Sequence, residues 1–253
     1  MLVMAVRSME GVAVKQLKEH LEELEKKYQD GRFYSFNHIS ELYLYQFYEK
    51  DGEFQLSDEP MNRWYLELGI SYEEKEETDE AYKAYLNAIR WNPVDLDARF
   101  AKLELDKKKG CYDVVLKETL TLYPYLCTRA TMARFYRNIG FYYVETYQPD
   151  IAFVLYEYSN MFFQTENADN EIAYMEEALG KKHPDYDVHQ LQSRISNLKI
   201  PVSAPSNTLG LIYEVGKSEE KKGHCKEAAE CYLMVYDLTQ DEEVKSRMNR
   251  VMH

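Results

Sequence analysis

Residues 62–95 read NRWYLELGISYEEKEETDEAYKAYLNAIRWNPVD, and the spacing of bulky and small side chains along them decides the architecture. At about 100° per residue, Tyr65, Leu68, Gly69 and Tyr72 fall within one narrow sector of a helix. A glycine in that sector removes the side chain at the point where a partner helix must come close. The partner follows the acidic run 73–80 and carries Ala81, Tyr85 and Ala88, two small residues and one ring on a single face. Pro93 cannot extend the helix it follows. The stretch therefore predicts two helices folded back on each other through a seam of small residues against bulky ones.

The same pattern returns twice. Tyr136, Ile139, Gly140, Tyr143, Ala152 and Tyr156 repeat it over 133–166, with Ser159 in place of an alanine. Ile212, Val215, Gly216, Gly223, Ala228 and Tyr232 repeat it over 209–242, where Glu219 takes the place of a tyrosine. Between the first two copies, 96–128 is a weaker unit. It keeps Phe100, Leu103, the Gly110-Cys111-Tyr112 turn and Val115, and the early Pro124 predicts a short second helix. The three seam glycines stand 71 and 76 residues apart, which exceeds two units of about 34 residues each. The larger excess falls in an irregular stretch, 167–206, where Pro184, Pro201 and Pro205 punctuate helices over 169–180 and 187–199. A last helix over 242–252 would cover the exposed end of a stack.

These residues resemble the tetratricopeptide repeat. Tyr65, Leu68, Gly69 and Tyr72 match its first helix, Ala81, Tyr85 and Ala88 its second, and Pro93 its closing proline. The resemblance covers nearly all of the chain after Pro60, closely in three units. It implies an all-α fold, a right-handed superhelical solenoid of antiparallel helix pairs. It also implies a scaffold or adaptor that holds a protein or peptide on its concave side.

Before Pro60, Val14, Leu17, Leu21, Leu24 and Tyr28 form a narrow stripe on a helix ending near Asp30-Gly31. At about two heptads the stripe is too short for a coiled coil, so it is expected to pack within the chain. A second helix over 36–48 would bury Phe36, Ile39, Tyr43 and Phe47. The two make an N-terminal hairpin over 1–60, a degenerate repeat or a cap, with 51–60 as a connection into the array of 61–253.

With 44 acidic against 31 basic residues and a formal charge of −13, the chain is a poor match for phosphate backbones, so no nucleic-acid partner is expected. The 23 tyrosines suit seams in which one end of the ring stays near water. Four cysteines make no disulfide framework, which fits a reducing cytoplasm. The apolar start over 1–6 is too short for a signal-peptide core, and no stretch is long enough to cross a membrane.

Two constellations tempt an enzymatic reading. His183, Asp185, Asp187 and His189 are metal-ligating residue types, but their spacing matches no known ligand motif, and Asp187 is well placed to cap a helix beginning at Val188. His224 and Cys225 are adjacent on a helix, where side chains diverge by about 100° and rarely meet; Cys225 reads as a buried structural thiol. No phosphate loop or nucleophile elbow is present. The chain is therefore expected to be no enzyme and to need no metal or cofactor, a metal-dependent enzyme built on 183–189 being the remote alternative.

The surface expected to carry function is the side of each first helix turned away from the seams. On it lie Arg63, Phe100, Arg134, Arg137, Asn138, Phe141, Tyr213 and Lys217. Amides can bond to a peptide backbone and guanidinium forks can take carboxylates. Glu67, Glu145 and Glu214 share that side and make it mixed in sign, while Leu66 and Ile70 stand where chaperone-binding relatives would place a clamp for a C-terminal carboxylate. A second reading within binding proteins is a peptide-sensing regulator of bacterial type, with residues 10–50 as its effector module.

Overall fold

The computed structural model describes residues 2–50 and 52–252. Met1, Asp51, His253 and the side chains of 2–13 lie outside the description, and with them the apolar start over 1–6 and the first residue of the 51–60 connection. The chain is all-helical, with thirteen α-helices and one two-stranded sheet among the described residues. It divides into two compact units, Met1–Leu105 and Asp106–His253.

In the first unit, α1 (Leu2–Lys27), α2 (Ile39–Tyr48), α3 (Met61–Glu73) and α4 (Thr78–Trp91) precede α5 (Leu96–Lys108), which runs through the division. The α3–α4 hairpin is the core: Met61, Leu68 and Tyr72 pack against Ala81, Tyr85, Ala88 and Trp91. The narrow stripe of α1 closes this hairpin, with Leu21 and Tyr28 buried in the same cluster and Leu17 and Leu24 beside them. Glu25 fixes the register of α1. Its Oε1 accepts from the Tyr65 hydroxyl and the Trp91 indole, each at 2.8 Å, and pairs with Arg90.

The chain between α1 and α3 departs from the expected second helix. That helix begins after His38, so Phe36 lies outside it, and its buried side carries Leu44 and Tyr45 while Phe47 is exposed. Phe36 instead joins Tyr34, Tyr45 and Phe54 in an aromatic cluster. Two-residue strands β1 (Phe33–Tyr34) and β2 (Gln55–Leu56) pair in parallel beside it. A buried polar network ties this segment to the hairpin. The Asn62 amide donates to Asn37 Oδ1 at 2.9 Å and Asp95 Oδ2 at 3.1 Å, and its oxygen accepts from Ser35.

The second unit contains α6 (Tyr112–Thr121), α7 (Arg129–Glu145), α8 (Pro149–Phe162), α9 (Glu166–Leu179), α10 (Val188–Asn197), α11 (Ser206–Lys222), α12 (Cys225–Thr239) and α13 (Glu242–Met252). The short α6 gives way to a 3₁₀ turn at Tyr123–Tyr125, around Pro124. A Thr128–Thr131 capping box starts α7, satisfying amides that the first helical turn leaves unpaired. Helices α7 and α8 form one hairpin and α11 and α12 another; α9 and α10 pack on α8, and α13 packs on α12. Glu220 of α11 holds three elements together by accepting from Tyr232 on α12 and from Arg247 and Arg250 on α13.

One device recurs in all three hairpins. A Cβ added at Gly69 would run into the Tyr85 ring; at Gly140 and Gly216 it would lie 2.9 Å from ring carbons of Tyr156 and Tyr232. Each glycine lies on the first helix and meets the tyrosine sixteen positions later on the second. In two of the hairpins a glutamate four residues after the glycine also accepts the tyrosine hydroxyl, Glu73 from Tyr85 and Glu220 from Tyr232, both at 2.5 Å.

Candidate functional site

The functional candidates fall on α3, α5, α7 and α11, and α7 concentrates them. Its length follows from its cap and from a seam face of Phe135, Tyr136, Ile139 and Gly140 that is fully buried. Arg134, Asn138 and Phe141 sit at offsets of four and three, so they share another side of the helix. Asn138 corrects the expectation: placed on the open face by its helical offset, it is 2% exposed, and its buried Nδ2 has no hydrogen-bond partner. An unpaired buried amide donor carries a desolvation penalty of about 1–3 kcal/mol.

Phe141, half-buried, is built up from the neighbouring elements. The Tyr112 ring meets it edge-on at 5.8 Å, and the Lys107 ammonium lies 5.0 Å from its centroid. Interaction with Glu145, one turn further along α7, raises the Tyr112 hydroxyl above its ordinary pKa. On α9, burial raises the carboxyl of Glu171 above its ordinary pKa; the Lys107 charge opposes this and Glu145 adds to it. Residues of α5, α7 and α9 thus act electrostatically on one another within the second unit, with both signs of charge present.

Arg137 belongs to the framework. Its guanidinium donates to the Phe163 carbonyl, to Ser159 Oγ at 3.2 Å and to Asn160 at 3.4 Å, so it clamps the end of α8. Burial pulls its pKa below the ordinary guanidinium value. Phe100 is a correction: expected on an open face, it is fully buried, as a large ring without a polar tip tends to be. Arg63 is exposed on α3 in the first unit. On α11, the Tyr213 hydroxyl donates to Glu243 and Lys217 pairs with Glu214, both at helix surfaces.

The four residues of 183–189 are put to separate uses. His183 stacks on Phe153 with centroids 4.8 Å apart, its Nδ1 lies 2.8 Å from Glu176 and its Nε2 2.5 Å from Glu157. Asp187 caps α10 in a box with Gln190, and Asp185 and His189 are exposed. Among the described residues no group of three or more His, Cys, Asp or Glu side chains is arranged to hold a metal ion. His224 Nδ1 engages Glu219 at 2.6 Å. Cys225 is exposed at the first position of α12, contrary to the buried thiol expected, and Cys231 is the buried one. No helix of the described residues is long and apolar enough to cross a membrane.

Pattern reading singled out Asn138 but gave no sign that its amide would be left unpaired. It missed Lys107 and Tyr112, which become recognisable only when α5, α6 and α7 are brought together. No family model matches the chain, and no curated protein matches it.

Proposed function

We propose that the protein is a tetratricopeptide-type interaction scaffold, a non-catalytic cytoplasmic adaptor whose helical hairpins stack as a superhelical solenoid and hold a peptide segment of a partner protein. The glycine–tyrosine seam supports the repeat reading, since the same close approach is made in three hairpins. The observation that carries the functional reading is Asn138: its Nδ2 is buried without a partner, so a guest whose binding uncovers this side of α7 would present a backbone carbonyl to it and offset the desolvation penalty. Arg134 beside it supplies a fork for a carboxylate, and Phe141 with its Lys107 neighbour supplies an apolar and cationic contact. Mixed charge on that side favours a peptide carrying both signs over a polyanion.

The test begins with peptide display on the purified chain, followed by titration of an enriched peptide. Asn138→Ala and Arg134→Gln are each expected to weaken binding by about tenfold, roughly 1.4 kcal/mol, while helical content stays the same. Equal affinity in both variants would remove the reading.

A further inference from the structure

A cavity of ≈ 220 Å³ opens in the first unit between α1 and the α3–α4 hairpin. Three helices supply it, each with residues at helical spacing, so each turns one stripe toward it. Its floor is apolar: Leu21 of α1, Leu68 and Ala84 of the hairpin, and the rings of Tyr65 and Tyr72. Its rim is charged and balanced. Lys18 and Glu22 stand one turn apart on α1, facing Asn87 and the Glu80–Lys83 pair on α4.

The rim is open to solvent at Lys18, Glu22 and Lys83. Glu80 and Lys83 pair at 2.6 Å, and the Lys83 bond, with the charges of Lys83 and Lys18, holds the Glu80 carboxyl below its ordinary value. The Asn87 oxygen accepts from Arg90 at 3.4 Å. Charged side chains thus line the mouth of the cleft over an apolar base.

We propose that this cavity binds a small zwitterion bearing one aromatic ring, of the chemical class of the aromatic amino acids. Size sets the ring count: a cavity of about 150 Å³ takes benzene, whereas drug-sized ligands need about 300–1,000 Å³. Charge sets the polar end. A turn of helix separates Lys18 from Glu22 by roughly 6 Å, so one guest can place a carboxylate against the ammonium and an ammonium against the carboxylate. An anion alone would meet Glu22 uncompensated, and a cation alone would meet Lys18. The ring lies on Leu68 and Ala84, and the bound guest joins α1 to the hairpin.

Calorimetric titration of the full chain with L-phenylalanine and L-tyrosine tests this, with 3-phenylpropionate, phenethylamine and L-alanine as comparators. Saturable binding is expected for the aromatic amino acids, at least tenfold weaker for the two singly charged analogues and weakest for alanine. Ala84→Leu should abolish binding by filling the floor. Because that change also alters core packing, Lys18→Gln on the exposed side of α1 serves as an independent check and should weaken binding about five- to tenfold. The bound amino acid should also raise the melting temperature in the wild type. Absence of saturable binding by either amino acid up to about 10 mM, or equal binding by the wild type and both variants, would overturn the proposal.

Discussion

At Gly69 the ordinary effect of a helix glycine is reversed. Replacing glycine by alanine inside a helix usually stabilises by about 0.5–1 kcal/mol, but here the new methyl would run into the Tyr85 ring. Gly69→Ala should therefore destabilise by about 1–3 kcal/mol, and most of that cost should vanish when Tyr85 is also Ala, a non-additivity expected of touching residues. Gly210, also helical, has nothing near its missing Cβ, so Gly210→Ala should stabilise by roughly 0.5–1 kcal/mol. Urea denaturation of Gly69→Ala, Tyr85→Ala, the double variant and Gly210→Ala checks both signs. A different residue-scale test concerns Cys231, whose burial pushes its thiol pKa up to about 12. A thiol reagent near pH 8 should modify the exposed Cys111 and Cys225 quickly and Cys231 only on unfolding.

Glu176 connects a residue to the pH response. Lys182, followed by the bonds from His183, holds its carboxyl below the ordinary value of 4.5. A depressed folded pKa means that the stabilisation is complete above about 4.5 and is lost as pH falls through the lower value. Glu219 is depressed in the same direction by Lys222 and His224. The urea midpoint should therefore drop on acidification below about pH 4.5, and Glu176→Gln should flatten part of that limb. A limb unchanged by the substitution would show that the 181–183 segment contributes nothing to it.

Among elements, the segment joining α1 to α3 depends most on a single side chain. Asn62 is 1% exposed and satisfies Ser35, Asn37 and Asp95 together. Asn62→Ala strands these groups and should cost about 2–3 kcal/mol, measured as loss of stability in the first unit. This network was not legible in the sequence: its members lie far apart in the chain and obey no period. The same limit explains the misplaced start of α2. Phe36 continues the apolar spacing of a helix, but the Tyr34, Tyr45 and Phe54 rings claim it first. Two-residue strands have no alternation to detect. By contrast α13, with hydrophobic spacing bounded by Gln240-Asp241, was read at its observed limits, 242–252.

Across the whole molecule, the hairpins were the legible part because glycine against tyrosine is a local, repeated constraint, and it reappears at Gly69, Gly140 and Gly216. The site was legible only in part. Helical offsets grouped Arg134, Asn138 and Phe141, but burial removed Phe100 and Asn138 from the open face and internal bonds took Arg137. Helical offsets alone do not identify a framework arginine such as Arg137; the neighbouring helix must be in place. The scaffold reading depends on whether Asn138 meets a guest. The most direct measurement is the NMR signal of its side-chain amide during titration with a display-selected peptide. The account predicts that this signal shifts as the peptide saturates; a peptide that binds while the Asn138 amide signal stays in place would contradict it.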